Sequence, residues 1–88
     1  MATTVHVPSP LRSYTGGAAV VPARGGSLRE LLEDLEKTHK GMRFRMIDEQ
    51  DRIRTHIRIF VNGTDTPTID APLRDGDNVT IICALSGG

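Results

Sequence analysis

The residues of this chain with the plainest chemical use are its last ones. Leu85-Ser86-Gly87-Gly88 brings the sequence to two glycines and a carboxylate. Lacking Cβ atoms, two terminal glycines let the final peptide units approach another protein's backbone where any side chain would clash. Such an end fits a narrow channel. Extended, four residues from Leu85 reach about 13 to 14 Å beyond a globule, enough to carry the carboxylate into a partner's active site. The plain alternative is a frayed terminus. Average glycine usage produces a Gly-Gly end in roughly 0.5% of chains, so chance accounts for it poorly.

Other reactive residues offer less. The single cysteine, Cys83, excludes an internal disulfide framework and any cysteine-cluster metal or iron-sulfur site. It falls within an apolar strand pattern, which predicts a small buried hydrophobe rather than a nucleophile, and a reducing, cytoplasmic setting. His6, His39 and His56 have no metal-ligand spacing. Gly25-Gly26-Ser27 precedes a helix but lacks a phosphate-loop lysine, so helix capping explains it. Arg43, Arg45, Arg52, Arg54 and Arg58 form a basic cluster, yet Asp48, Glu49 and Asp51 interrupt it and no aromatic interleaving suggests base stacking. A solvated charged loop is expected there. Lysine plus arginine equals aspartate plus glutamate at 11 each, so no global field draws the chain to nucleic acid or membrane. No stretch has the apolar length of a membrane span, and no secretory n-region opens the sequence. Its 88 residues make one small domain without room for a deep enzyme cleft.

The elements that would position the tail follow from periodicity. Thr3 to Val7 alternates with Val5 and Val7 inward and predicts a first strand, ended by Pro8 and Pro10. After a wide connection, Ala18 to Val21 returns as a second strand that Pro22 stops, and the two form a hairpin. Ser27-Leu28-Arg29-Glu30 is a capping box in which Ser27 accepts from the Glu30 amide while Glu30 reaches back to the Ser27 amide. Leu28, Leu31, Leu32 and Leu35 then make one buried helical stripe, and Gly41 is placed to end the helix. Met42 to Thr55 predicts a long, partly exposed crossover with Phe44, Met46 and Ile47 as anchors. His56 to Val61 alternates with Ile57, Ile59 and Val61 inward, and Asn62-Gly63 is a type I′ turn dipeptide. Thr64 to Thr68 holds Pro67 and can be only an edge strand; Ile69 and Leu73 plug the core. Asp75-Gly76-Asp77 is a turn, and from it Val79, Ile81, Cys83 and Leu85 alternate as the inner face of a last strand. That strand should lie centrally beside the first. The order is β-β-α-β-β-β, an α+β mixed sheet of four to five strands with one amphipathic helix on one face. On the outer face, His56, Arg58 and Phe60 should stand beside Thr80 and Ile82; Arg58, Phe60 and Ile82 are the candidate docking surface.

The strand order, the Val61-Asn62-Gly63 hairpin, the Leu73 to Ile81 turn and strand with its Asp-Gly-Asp, and the Gly87-Gly88 end resemble the ubiquitin-like β-grasp sulfur carriers, the MoaD and ThiS family. Pro10-Leu11-Arg12 and Thr15-Gly16-Gly17 resemble its CysO-type members. The resemblance implies a β-grasp domain over residues 1–84 and a flexible tail over 85–88. It implies that the Gly88 carboxylate is adenylated with ATP by a separate E1-like enzyme, which turns a poor electrophile into an acyl-adenylate. A sulfur donor would then give a thiocarboxylate that supplies an accepting enzyme in biosynthesis of cysteine, a cofactor or a thio-metabolite. The carrier would catalyse nothing and bind no permanent cofactor. Leu85, Ser86, Gly87 and Gly88 would be the tail that enters the partner's active site, with Leu85 as an anchor in its groove and Gly87 as the slim backbone behind Gly88. Two other expectations stand beside this one: a ubiquitin-like protein modifier joined through Gly88 to lysines, and a β-grasp interaction module whose glycines are incidental.

Overall fold

The computed structural model describes residues 2–84. Five strands, β1 (Thr3–His6), β2 (Val20–Ala23), β3 (Ile57–Val61), β4 (Thr64–Asp65) and β5 (Asn78–Cys83), form one mixed sheet in the order β2-β1-β5-β3-β4. The last strand is central, as its alternation required. It runs parallel to β1, with Val5 opposite Val79, and antiparallel to β3, with Ile59 opposite Ile81. Helix α1 (Leu28–Thr38) lays its leucine stripe on the inner face, where Leu28, Leu31, Leu32 and Leu35 meet Val5, Ile59, Val79 and Ile81 in one core. This is the ubiquitin-like β-grasp architecture.

Ser27 Oγ accepts the Glu30 amide at 3.2 Å, so α1 starts where the capping box placed it. The reciprocal bond differs. Glu30 Oε1 accepts from Gly26 rather than Ser27, at 2.8 Å, while the Leu28 and Arg29 amides donate to the Ala71 and Ile69 carbonyls. Gly25 passes so close to α1 that a Cβ there would lie 2.5 Å from the Leu31 nitrogen.

Three expectations need correction. β2 runs Val20–Ala23 and includes Pro22; as an edge strand it tolerates a missing donor. The preceding link is a 3-10 helix, Ser9–Thr15, capped by Gly16 at φ 65°, and Thr15 Oγ1 donates to Arg12 and Ala18 carbonyls, which holds Ala18 in the turn. Second, α1 is capped at His39; Gly41, at φ 92°, instead opens a second short helix, α2 (Met42–Met46). Third, the crossover is ordered. The Asp48 carboxylate accepts the amides of Gln50 and Arg52, and Ile47 pairs with Ile53. Met42, Met46 and Ile47 are fully buried, but Phe44 is 59% exposed. Met42 and Met46, four residues apart, share the inner face of α2, and that leaves Phe44 on the other.

Candidate functional site

β5 leads to the last residues, so the end of the sheet where it finishes is the candidate site. β1 pairs with this strand as far as Thr80 and β3 as far as Cys83, and the Ala84 amide then donates to the His56 carbonyl at 2.8 Å. Leu85, Ser86, Gly87 and Gly88 lie outside the described residues. Because β1 is parallel to β5 and β3 antiparallel, β1 ends and β3 begins at this same end. Three connections therefore gather there: the tight helix Ser9–Thr15, α2, and the stretch entering β3.

Long-range bonds fix this rim. Gly41 offers α2 no side-chain cap. Instead the Glu36 carboxylate, on α1, accepts the Gly41 amide at 2.8 Å and the Arg43 amide at 3.0 Å. Those two backbone donors, Gly41's above all, hold Glu36 below the ordinary carboxylate range. With α2 pinned, Arg45 Nε donates to the Tyr14 hydroxyl at 2.6 Å. Arg54 Nε donates to the Phe44 carbonyl at 2.7 Å, and its guanidinium lies 4.6 Å from the Phe44 ring centroid. The arginine cluster thus divides in two. Arg43 and Arg29 share Asp51, Arg29 also meets Asp70, Arg52 faces Asp48, and Arg58 meets Asp65. Arg45 and Arg54 lean on neutral groups.

The outer face holds the candidate docking residues together. Arg58 stands opposite Ile82, and Phe60 opposite Thr80. Ile82 is 43% exposed, Phe60 half-buried, and Arg58 Nη1 reaches Asp65 Oδ2 at 3.0 Å. Sequence reasoning missed Val20 on this face. It is exposed, and His6 joins it to the same row as Thr80 and Phe60. The signal was Pro22: a proline-bearing edge strand with Val21 inward turns Val20 outward. Cys83 faces inward but is only half-buried, at the core's margin. Among the described residues no group of three histidine, cysteine or acidic side chains is placed to hold a metal ion, and no helix is long and apolar enough to cross a membrane.

The opposite end of the sheet is closed by its turns. Asn62, at φ 51°, and Gly63, at φ 85°, have the positive angles a type I′ turn demands. Asn62 Oδ1 accepts the Asn78 amide at 2.9 Å while Nδ2 donates to Asp77 Oδ1 at 3.0 Å. Asp77 also accepts the Arg74 amide at 2.8 Å, closing the turn around Gly76.

Comparison with known proteins agrees with this geometry. The sulfur carrier protein CysO of Mycobacterium tuberculosis (strain ATCC 25618 / H37Rv) is 36% identical over 93 residues, covering 100% of both chains. The crystal structure of M. tuberculosis CysO superposes with a TM-score of 0.89 at 33% identity, over 94% of this chain and 99% of that one. The Amycolatopsis orientalis BexX/CysO complex contains a chain matching at a TM-score of 0.91 and 36% identity, over 99% of this chain and 100% of its own. The ThiS family model matches residues 5–88, and the chain belongs to the ThiS family.

Proposed function

We propose that this chain is a sulfur carrier protein, acted on by an enzyme rather than being one. The observation that carries the reading is the placement of β5. The strand leading to Gly88 is the central one, paired with β1 as far as Thr80 and with β3 and the His56 carbonyl as far as Ala84, so the chain leaves a fixed strand four residues before Gly88. Full-length identity to CysO carriers supports it. The Gly88 carboxylate oxygen attacks the α-phosphorus of ATP on a separate E1-like enzyme, releasing pyrophosphate. A sulfur donor then attacks the acyl carbon of the adenylate, the bond to AMP breaks, and a thiocarboxylate remains. Its sulfur is ionised near neutral pH and is a good nucleophile for an accepting biosynthetic enzyme, as a thiolate would be. ATP belongs to the partner, and the setting is cytoplasmic.

Arg58, Phe60 and Ile82 form the docking face for such a partner, an apolar spot beside a cation. The similarity to a chain solved in a BexX/CysO complex supports partner binding by this fold. Carrier-dependent exchange of labelled pyrophosphate into ATP, by the E1-like enzyme of the same cell, tests the activation step. Exchange should vanish when Gly88 is deleted and weaken when Phe60 and Ile82 become aspartate. Wild-type exchange absent from an enzyme active on another carrier contradicts the activation step, and lysine-linked Gly88 adducts contradict the thiocarboxylate.

A further inference from the structure

Building on the carrier reading, we infer that Phe44, Arg45, Arg54 and His56 form a second recognition surface, at the root of the tail. It docks a carboxylate-bearing protein surface bordering the pocket that receives Gly88. In a chain of zero net charge, the arginines around it are neutralised in place by Asp48, Asp51, Asp65 and Asp70. Arg45 and Arg54 meet no carboxylate at ion-pair distance among the described residues. Each spends its Nε on a neutral oxygen, of Tyr14 and of Phe44. Among the described residues no hydrogen bond takes up the Nη groups of either, so both pairs can form the fork that matches a carboxylate. Phe44 lies open beside them at 59% exposure, braced by the Arg54 guanidinium; an aromatic and arginine pairing of this kind commonly anchors interfaces.

Two shallow concavities frame the surface. One, of about 290 Å³, lies between the Pro10 to Tyr14 turn and Arg45; the other, of about 190 Å³, lies between Phe44 and Arg54, and His56 lines both. His56 is also the residue whose carbonyl holds Ala84. Four extended residues span about 13 to 14 Å, so a partner that engages Gly88 must bring the mouth of its pocket within that distance of this surface. Two arginines and a histidine, with Asp48 and Glu49 nearby, make too short a track for successive nucleic-acid phosphates. They suit a compact acidic patch.

The test is the steady-state activation of intact carrier by its E1-like enzyme. In the Arg45→Glu/Arg54→Glu variant the KM for carrier should rise about tenfold or more, with kcat retained at saturation. Added salt should raise the wild-type KM but change the variant's little. Phe44→Ala should raise KM, Arg45→Lys/Arg54→Lys should restore it partly, and Arg74→Glu at the far end of the sheet should leave it unchanged. An unchanged KM in the double charge reversal, with melting temperature retained, overturns the inference while leaving the carrier reading intact. So does tighter binding of wild-type protein to a single-stranded oligonucleotide than to the enzyme. No activation of the wild type contradicts the carrier reading itself; binding of Gly88-deleted carrier to the same enzyme, measured by calorimetry, then decides for this surface if charge reversal weakens it and against it if not.

Discussion

The two ends of the sheet differ in what they do with their charged side chains. At the turn end, side chains are used up by backbone: Asn62 and Asp77 bond each other and the amides of Asn78 and Arg74. At the tail end Glu36 likewise accepts the Gly41 and Arg43 amides, but two cations, Arg45 on Tyr14 and Arg54 on Phe44, are held by neutral groups and meet no carboxylate at ion-pair distance among the described residues. The first arrangement closes β5's entrance for stability. The second leaves its exit chemically available. On the proposed reading, stability and recognition are thereby separated along one central strand.

The largest effect that separates the ends should come from Gly87→Phe. A bulky side chain blocks the partner's channel, so activation should fall to background while the melting temperature stays at the wild-type value. Normal adenylation of this variant would remove the channel requirement. Next in size is Met46→Ala, which empties a fully buried site under the tail-end rim. It should cost about 2 to 5 kcal/mol of stability in chemical denaturation; a cost below that range would mean α2 is a loose appendage. At the turn end, Asn62→Ala loses two bonds and strains a positive φ, and should cost on the order of 1 to 2 kcal/mol with activation kinetics unchanged. Asn62→Gly relieves the φ and isolates the bonds. Phe44→Ala, on an exposed ring, should change stability by less than about 0.5 kcal/mol, so a large loss would make Phe44 structural.

Acid sharpens the same contrast. Asp77 is held below its ordinary range chiefly by the Asn62 amide, Asp51 chiefly by Arg29 and then Arg43, and Asp48 chiefly by the Arg52 amide. A depressed folded pKa adds stability above the unfolded value, about 4, and loses it as pH falls through the folded value. Thermal melts should therefore decline on the acid side, less steeply in Asn62→Ala, and as in wild type for Phe44→Ala. A wild-type melting temperature flat through that range would contradict the assigned bonds.

Local signals made most of this architecture legible. Val5/Val7, Ile57/Ile59 and Val79/Ile81 alternate because one sheet face is buried; Ser27 and Asn62-Gly63 act on their immediate neighbours. The unread parts depend on distant partners. α2 spans a single turn, too short for a period to emerge, and its cap is Glu36 on another helix. Phe44 looked like a core residue by type and is exposed because the two methionines claim the inner face. The five arginines looked like one solvated cluster; which of them are neutralised depends on Asp51 and Asp65, placed by tertiary contact. The tail residues named from sequence, Leu85 to Gly88, lie outside the described residues, and their role is part of the proposal.

Intact mass after incubation with ATP, a sulfide source and the E1-like enzyme of the same cell tests the central claim most directly. The carrier account predicts a gain equal to replacing one oxygen by sulfur, located at Gly88 and absent when Gly88 is deleted. An unchanged mass, with the enzyme demonstrably active on another carrier, would contradict it.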